Sequence, residues 1–121
     1  MDKNKTINVG LIGLGTVGTG VVDLFSQNDN PGINLKTVVV KDINKPRKVK
    51  FSNITTDASK VLEDPEIDIV VELIGGYEPA KDYIIKAIKN KKHVVTANKA
   101  VISEYGPEIF AEAEKSKVNV G

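Results

Sequence analysis

The spacing of apolar positions changes repeatedly along this chain, and each change predicts an element. Ile7 to Ile12 is a short apolar run that ends in glycine and reads as a first strand. From Thr16 to about Asn28 the period becomes helical, with Val17, Val21, Leu24 and Phe25 on one face. Asn28-Asp29-Asn30-Pro31-Gly32 closes that helix with turn chemistry. The β-branched run Thr37-Val38-Val39-Val40 lies within a second strand, Leu35 to Lys41. Asn44 to Asn53 is polar and basic and predicts a loop with a short extended piece. Thr56 or Asp57 caps a short helix through Leu62, which stops before Pro65.

The second half repeats the alternation. Ile67 to Ile74, "IDIVVELI", is nearly continuous in apolar residues and predicts a strand buried on both faces. Pro79 starts a helix through Asn90 whose apolar side is Ala80, Ile84, Ala87 and Ile88. Lys81, Lys86, Lys89, Lys91 and Lys92 then read as its solvated side and end. His93 to Ala97 is a fourth strand, and His93 reads as structural or exposed. A helical region follows, with a break expected at Gly106-Pro107 and with Ile109, Phe110 and Ala113 facing inward. Val118 to Val120 opens a fifth strand. Strands alternating with helices, and strands buried on both faces, predict an α/β fold with a doubly wound, Rossmann-type parallel sheet.

Composition narrows the classes. The 121 residues suffice for one domain, 1–121, and are few for a complete two-substrate enzyme. A net charge of +1 and 5% aromatic residues argue against a nucleic-acid surface. With no cysteine, disulfides and thiolate chemistry are excluded, which suits a cytoplasmic location. Lys3 and Lys5 precede an apolar stretch, yet glycines interrupt it and no cleavage site follows, so it is not read as a signal peptide. No apolar run approaches a membrane span. No His/Asp/Glu grouping has metal-ligand spacing.

Between Gly10 and Gly20, "GLIGLGTVGTG" holds five glycines. Gly13-Leu14-Gly15-Thr16-Val17-Gly18 fits G-x-G-x-x-G, and it sits after a predicted strand and at the start of a predicted helix. In that setting Gly13 permits the tight turn, Gly15 lets a pyrophosphate approach the backbone, and Gly18 lets helix and strand pack closely. The unpaired N–H groups at the helix start favour phosphates. The alternative is a glycine-rich turn that binds nothing. The cofactor would be an NAD-type dinucleotide, and the end of the second strand should select it. An acidic residue about 20 positions after the fingerprint would accept from the ribose hydroxyls of NAD. This chain has Lys41 there, then Asp42, with Lys45, Arg47, Lys48 and Lys50 beyond. Lys41 suits an adenosine 2′-phosphate, so NADP is slightly favoured over NAD. Asp42 serves NAD if the strand runs one residue longer, and a plain basic loop is the alternative to both.

"GLGTVG" at Gly13–Gly18, "VVELIGG" at Val70–Gly76 and "HVVTANKA" at His93–Ala100 together resemble the amino-terminal cofactor domain of the homoserine dehydrogenases. "VVVKDINKPR", Val38–Arg47, is also similar, although the family often has arginine at the position of Lys41. The resemblance spans nearly the whole chain. It implies NAD(P)-dependent, reversible interconversion of aspartate 4-semialdehyde and homoserine, in the pathway to threonine, methionine and isoleucine. It implies that Thr16 and Val17 lie beside the pyrophosphate, that Gly75 and Gly76 lie against the nicotinamide or its ribose, and that Lys99 assists near nicotinamide and substrate. Glu72, a carboxylate in an apolar strand, is expected to face the crevice and pair with a cation such as Lys99.

The resemblance also implies a substrate domain after residue 121, carrying the main acid–base residues and much of a homo-oligomer interface. On that reading this chain is a truncated cofactor domain that binds dinucleotide without turnover, and its small-molecule substrate binds only with the missing domain. Two further classes stay open from the residues alone. One is a stand-alone dinucleotide-binding sensor or regulatory module, and the other is a different Rossmann oxidoreductase.

Overall fold

The computed structural model describes residues 6–15, 18–22, 32–44 and 53–121. Thr16, Val17, Leu24, Phe25, Lys45, Arg47, Lys48 and Lys50 lie outside the described residues. The first apolar run is strand β1 (Ile7–Ile12), and residues 18–22 are helical, α1. Strand β2 (Ile33–Val39) starts and ends earlier than the predicted Leu35–Lys41. A short strand that the polar pattern concealed, β3 (Ile54–Thr55), follows. Then come α2 (Ser59–Leu62), β4 (Ile69–Glu72), α3 (Ala80–Lys89), β5 (His93–Thr96) and α4 (Lys99–Ser116).

The strands pair in parallel in the order β3-β2-β1-β4-β5. Val120 makes a single parallel bridge to Val94 beside β5, which is less than the strand expected over Val118–Val120. One core lies on the α1 side of the sheet: Val9, Leu11, Val22, Leu35, Val38 and Val40. On the other side Ile12, Val39, Val70 and Val94 meet Val61 and Leu62 of α2, Ile84 and Ile88 of α3, and Val101 and Ile109 of α4. Helices therefore cover both faces of one parallel sheet, which is the Rossmann-type α/β fold. Between β1 and β2 the register slips once: Val9 faces Leu35, but Gly10 faces Thr37, leaving Lys36 as an extra residue.

Ala80, Ile84, Ala87 and Ile88 are fully buried, as the helical spacing predicts. Three further expectations need correction. The first concerns Gly106-Pro107, where α4 runs unbroken from Lys99 to Ser116 with Pro107 inside it. Proline removes a backbone donor and crowds the carbonyl four residues back. Burial of Val101, Ile109 and Ala113 against the core offsets that cost. Lys81 of α3 adds two contacts on either side of the proline, lying 4.4 Å from the Tyr105 ring centroid and 3.3 Å from the Glu108 carboxylate. The second is Phe110, which is 48% exposed; the inward positions of the continuous helix are Ile109 and Ala113. The third is Lys92, which is 3% exposed instead of solvated. It follows the helix in a turn and reaches under the 64–67 loop, where its Nζ donates to the carbonyls of Asp64 and Ile67.

Neither Thr56 nor Asp57 caps α2: its N-cap is Ala58, without a side-chain cap, and Asp57 instead closes a local turn just before the helix. The Asp57 carboxylate accepts from the Ser59 N–H at 2.9 Å and the Ser59 hydroxyl at 2.7 Å, which holds it below its ordinary range. Asp64 is more deeply placed. Burial raises its pKa, but the Lys36 ammonium at 2.6 Å and the Glu66 N–H outweigh that, so the net shift is below 3.8. A lowered carboxylate supplies stability that is present above its unfolded value and lost as pH falls through its folded one. Asp64→Asn should therefore cost about 1 kcal/mol at neutral pH, the upper end for a partly exposed pair. Urea unfolding of the variant and wild type should converge as pH falls below 3.8, the ordinary value for Asp64.

Candidate active-site cleft at the carboxyl ends of the strands

The turn after β1 is built by backbone crowding. Gly13 has φ +102°, and a Cβ there would lie 3.0 Å from the Leu73 carbonyl carbon. Its N–H donates to the Val39 carbonyl at 2.9 Å, which ties the turn to the end of β2. At Gly18 a Cβ would meet the Gly13 carbonyl oxygen at 2.4 Å, so helix and turn are in backbone contact. Gly15 is different: it is exposed, and nothing lies within 4 Å of where its Cβ would be. Leu14 is half-buried and packs on the α1-side core.

After β4 the chain passes beside this turn. Leu73 donates its N–H to the Ile12 carbonyl at 2.9 Å. Gly75 and Gly76 follow with φ of +84° and +73°, and a Cβ at either would meet only open space. Positive φ is strained for residues with a side chain, so these two positions combine a backbone need for glycine with an unobstructed surface. Leu73, Ile74, Gly75, Ala97 and Asn98 line one cleft of about 130 Å³. That is about the size of a cavity that accommodates a single aromatic ring, roughly 150 Å³ for benzene.

The cleft wall is held by a hydrogen-bond chain running from β4 to α4. Glu72 is fully buried; its Oε2 accepts from the Ile74 N–H at 2.7 Å and its Oε1 from the Thr96 hydroxyl at 2.6 Å. Thr96 Oγ1 in turn accepts from the Asn98 N–H at 3.0 Å. Asn98 is buried and works at both ends of its side chain. Its Oδ1 accepts from Val101 N–H at 3.1 Å and caps α4, while its Nδ2 donates to the Gly76 carbonyl at 2.6 Å. Beyond the glycines, Tyr77 meets Tyr105 edge-on at 6.1 Å, which ties the loop to α4 a second time. Glu78 is held above 4.5 by lost hydration and by the neighbouring Asp82 charge.

The expected pairing of Glu72 with Lys99 does not occur. Lys99 is the first residue of α4 and is exposed, and neither it nor Glu72 belongs to an ion pair among the described residues. The carboxylate turns back to two neutral donors because β4 and β5 are neighbours in register, Glu72 opposite Thr96. Thr96 and Asn98 are the residues that pattern reading left without a role, although both lie in the "HVVTANKA" stretch. Their hydroxyl and amide could be assigned only once β4 and β5 were known to be adjacent. Lys41 is exposed just past β2, and Asp42 is engaged in a local turn, its Oδ1 accepting from the Asn44 N–H at 3.0 Å. His93 is structural, with Nδ1 accepting from the Asn119 N–H at 3.0 Å. Thus Gly13, Gly18, Gly75, Gly76 and the start of α4 converge at one end of the sheet, and Thr16 and Val17 lie outside the described residues.

Among the described residues no group of three or more metal-ligating side chains occurs, and no helix is long and apolar enough to cross a membrane. A family model described as the NAD-binding domain of homoserine dehydrogenase matches residues 13–120. A homoserine dehydrogenase from Synechocystis sp. is 48% identical over 95% of this chain and 28% of its own length. One from Bacillus subtilis is 42% identical over 96% of this chain and 29% of its own. The crystal structure of a homoserine dehydrogenase from Thiobacillus denitrificans superposes with a TM-score of 0.86 at 43% identity, covering 96% of this chain and 29% of that one. The chain thus spans less than a third of the length of these relatives, and within that span sequence, fold and glycine turn all agree: it belongs to the homoserine dehydrogenase NAD-binding domain family.

Proposed function

We propose that this chain is the cofactor-holding part of an enzyme that interconverts aspartate 4-semialdehyde and homoserine with NAD(P)(H), and that it binds dinucleotide on its own without turnover. The observation that supports this reading best is the joined cleft. Gly13 abuts Leu73, and Leu73, Ile74, Gly75, Ala97 and Asn98 form one ring-sized surface beside the fingerprint turn. Open ligand crevices in parallel sheets lie at this end of the strands. Gly13, Leu14, Gly15, Thr16, Val17 and Gly18 would hold the pyrophosphate, Gly15 being the open backbone approach. Gly75 and Gly76 would take the nicotinamide or its ribose, with Lys99 at the substrate side. When bound, the cofactor supplies the hydride chemistry. The chain's own part is to fix the ring and shield one of its faces.

Lys41 is the residue proposed to favour NADP. It is exposed just past β2, and Asp42 beside it accepts a hydrogen bond from its own turn. A charge-assisted contact to a 2′-phosphate is worth roughly 1.5–3 kcal/mol, so Lys41→Ala should weaken NADPH about 10- to 100-fold and leave NADH unchanged. Titration of wild type and Lys41→Ala with both cofactors at two salt concentrations checks this, and the wild-type NADPH affinity should fall with salt. Equal affinities for NADPH and NADH in the wild-type chain would instead move the ribose contact to Asp42. Absence of binding to either cofactor would refute the reading.

A further inference from the structure

Two charged side chains are buried among the described residues, Glu72 and Lys92. Lys92 precedes β5, at the end of the sheet away from the cleft, and is occupied by two carbonyls. Glu72 is at the cleft end, 0% exposed, and among the described residues accepts from the Ile74 N–H and the Thr96 hydroxyl alone. Both donors are neutral, so they orient the carboxylate without balancing its charge. A buried carboxylate with no cation nearby is costly, and the cost falls when positive charge arrives. Nothing in the described part of this chain brings it. What lies immediately beyond Ile74 and Thr96 is the cleft, since Ile74, Ala97 and Asn98 are its lining.

We propose that Glu72 holds a carboxylate behind the nicotinamide cleft whose negative charge is offset when the oxidised, positively charged ring is bound, so that the site favours that ring over the neutral reduced one. This rests on the reading that the cleft takes the nicotinamide. The two cofactor forms differ at the ring by one unit of charge and are alike in their adenosine half. A charge that distinguishes them therefore acts through differential affinity, the one means by which a site shifts such a balance. The Thr96 and Ile74 bonds keep the carboxylate in place behind the wall instead of letting it swing into the cleft and block it. Glu72 is thus a specificity-determining residue for redox state, acting at a distance without touching the ring.

The test is calorimetric titration of the 121-residue chain with NADP+, with NADPH, and with adenosine 2′,5′-bisphosphate as a probe of the adenosine side. Glu72→Gln removes the charge while keeping an acceptor for Thr96. It should weaken NADP+ relative to NADPH roughly tenfold, the scale of one charge at short range in a partly screened site, and leave the bisphosphate unchanged. Thr96→Val removes a hydrogen bond but keeps the charge, and the NADP+ to NADPH ratio should stay as in wild type. Equal weakening of both forms by Glu72→Gln, or no change in either, overturns the proposal and leaves Glu72 a scaffold residue. Should Glu72→Gln fail to fold, the wild-type chain carries the test, because it should bind NADP+ at least as tightly as NADPH. A tenfold preference for the reduced form overturns the proposal. If wild type binds neither dinucleotide, the cofactor reading itself is what falls.

Discussion

Lys92→Met is expected to lower the free energy of unfolding by roughly 3 kcal/mol or more. The ammonium is 3% exposed and donates to the Asp64 and Ile67 carbonyls. Methionine fills similar space but leaves both acceptors without this donor in a place water does not reach. Burial lowers the Lys92 pKa from 10.5, although the charges of Asp64 and Asp68 pull it upward. The unfolded chain therefore binds more protons between the lowered value and 10.5, so in wild type this group's contribution to stability rises with pH across that window. Lys36 acts in a separate window. Its hydrogen bond to Asp64 raises its pKa, so its contribution is lost only as pH rises above 10.5. Urea midpoints at pH 7 and near 10 read the Lys92 effect, while the Lys36 contribution stays intact at both. A variant as stable as wild type would mean that the 64–67 loop does not depend on this lysine.

Gly18→Ala should cost roughly 2–3 kcal/mol, the upper part of the range for overpacking, and weaken dinucleotide binding with it. The added methyl would lie 2.4 Å from the Gly13 carbonyl oxygen. That oxygen cannot easily yield, because Gly13 is held at φ +102°, is bonded to Val39 and abuts the Leu73 backbone. Gly20 provides the control within the same helix. Nothing lies within 4 Å of its Cβ position, so Gly20→Ala should stabilise by about 0.5–1 kcal/mol through helix propensity and a stiffer unfolded chain. Denaturant melts of the two variants should thus move in opposite directions. If both shift alike, helix and turn do not meet as closely as these distances require.

What could be read without coordinates was whatever local spacing encodes. The α3 stripe, the buried strands, the parallel α/β class and the contact of Gly18 with Gly13 all follow from residues a few positions apart. Gly10 shows the limit. It belongs to the same glycine cluster, yet its Cβ would lie 2.5 Å from Val61 Cγ1, so its small size serves the seat of α2 on the sheet and not the turn. Glu72 and Thr96 meet across two strands, 24 residues apart in sequence, and only pairing in register makes them partners. Lys92 reads as solvent-facing because lysines surround it, whereas the loop it supports lies 25 and 28 residues upstream. Pro107 predicts a break from backbone chemistry alone, and the packing of α4 on α3 that overrides it is a tertiary fact. Local rules located the crevice; long-range contacts decided which side chains build its wall.

The register slip at Lys36 bears on how β2 is able to vary. Leu35, Val38 and Val40 share one core, and Thr37 and Val39 point to the other side. Those spacings do not fit a single two-residue rhythm. The strand is better seen as two short phrases in opposite phase, with the extra residue as the rest between them. A length change anywhere else would invert one phrase and send its side chains to the opposite face of the sheet. At the slip alone, chain length and core membership are uncoupled. The residue standing there, a lysine paired with Asp64 and Glu66, also fastens this seam to the loop that Lys92 supports from beneath.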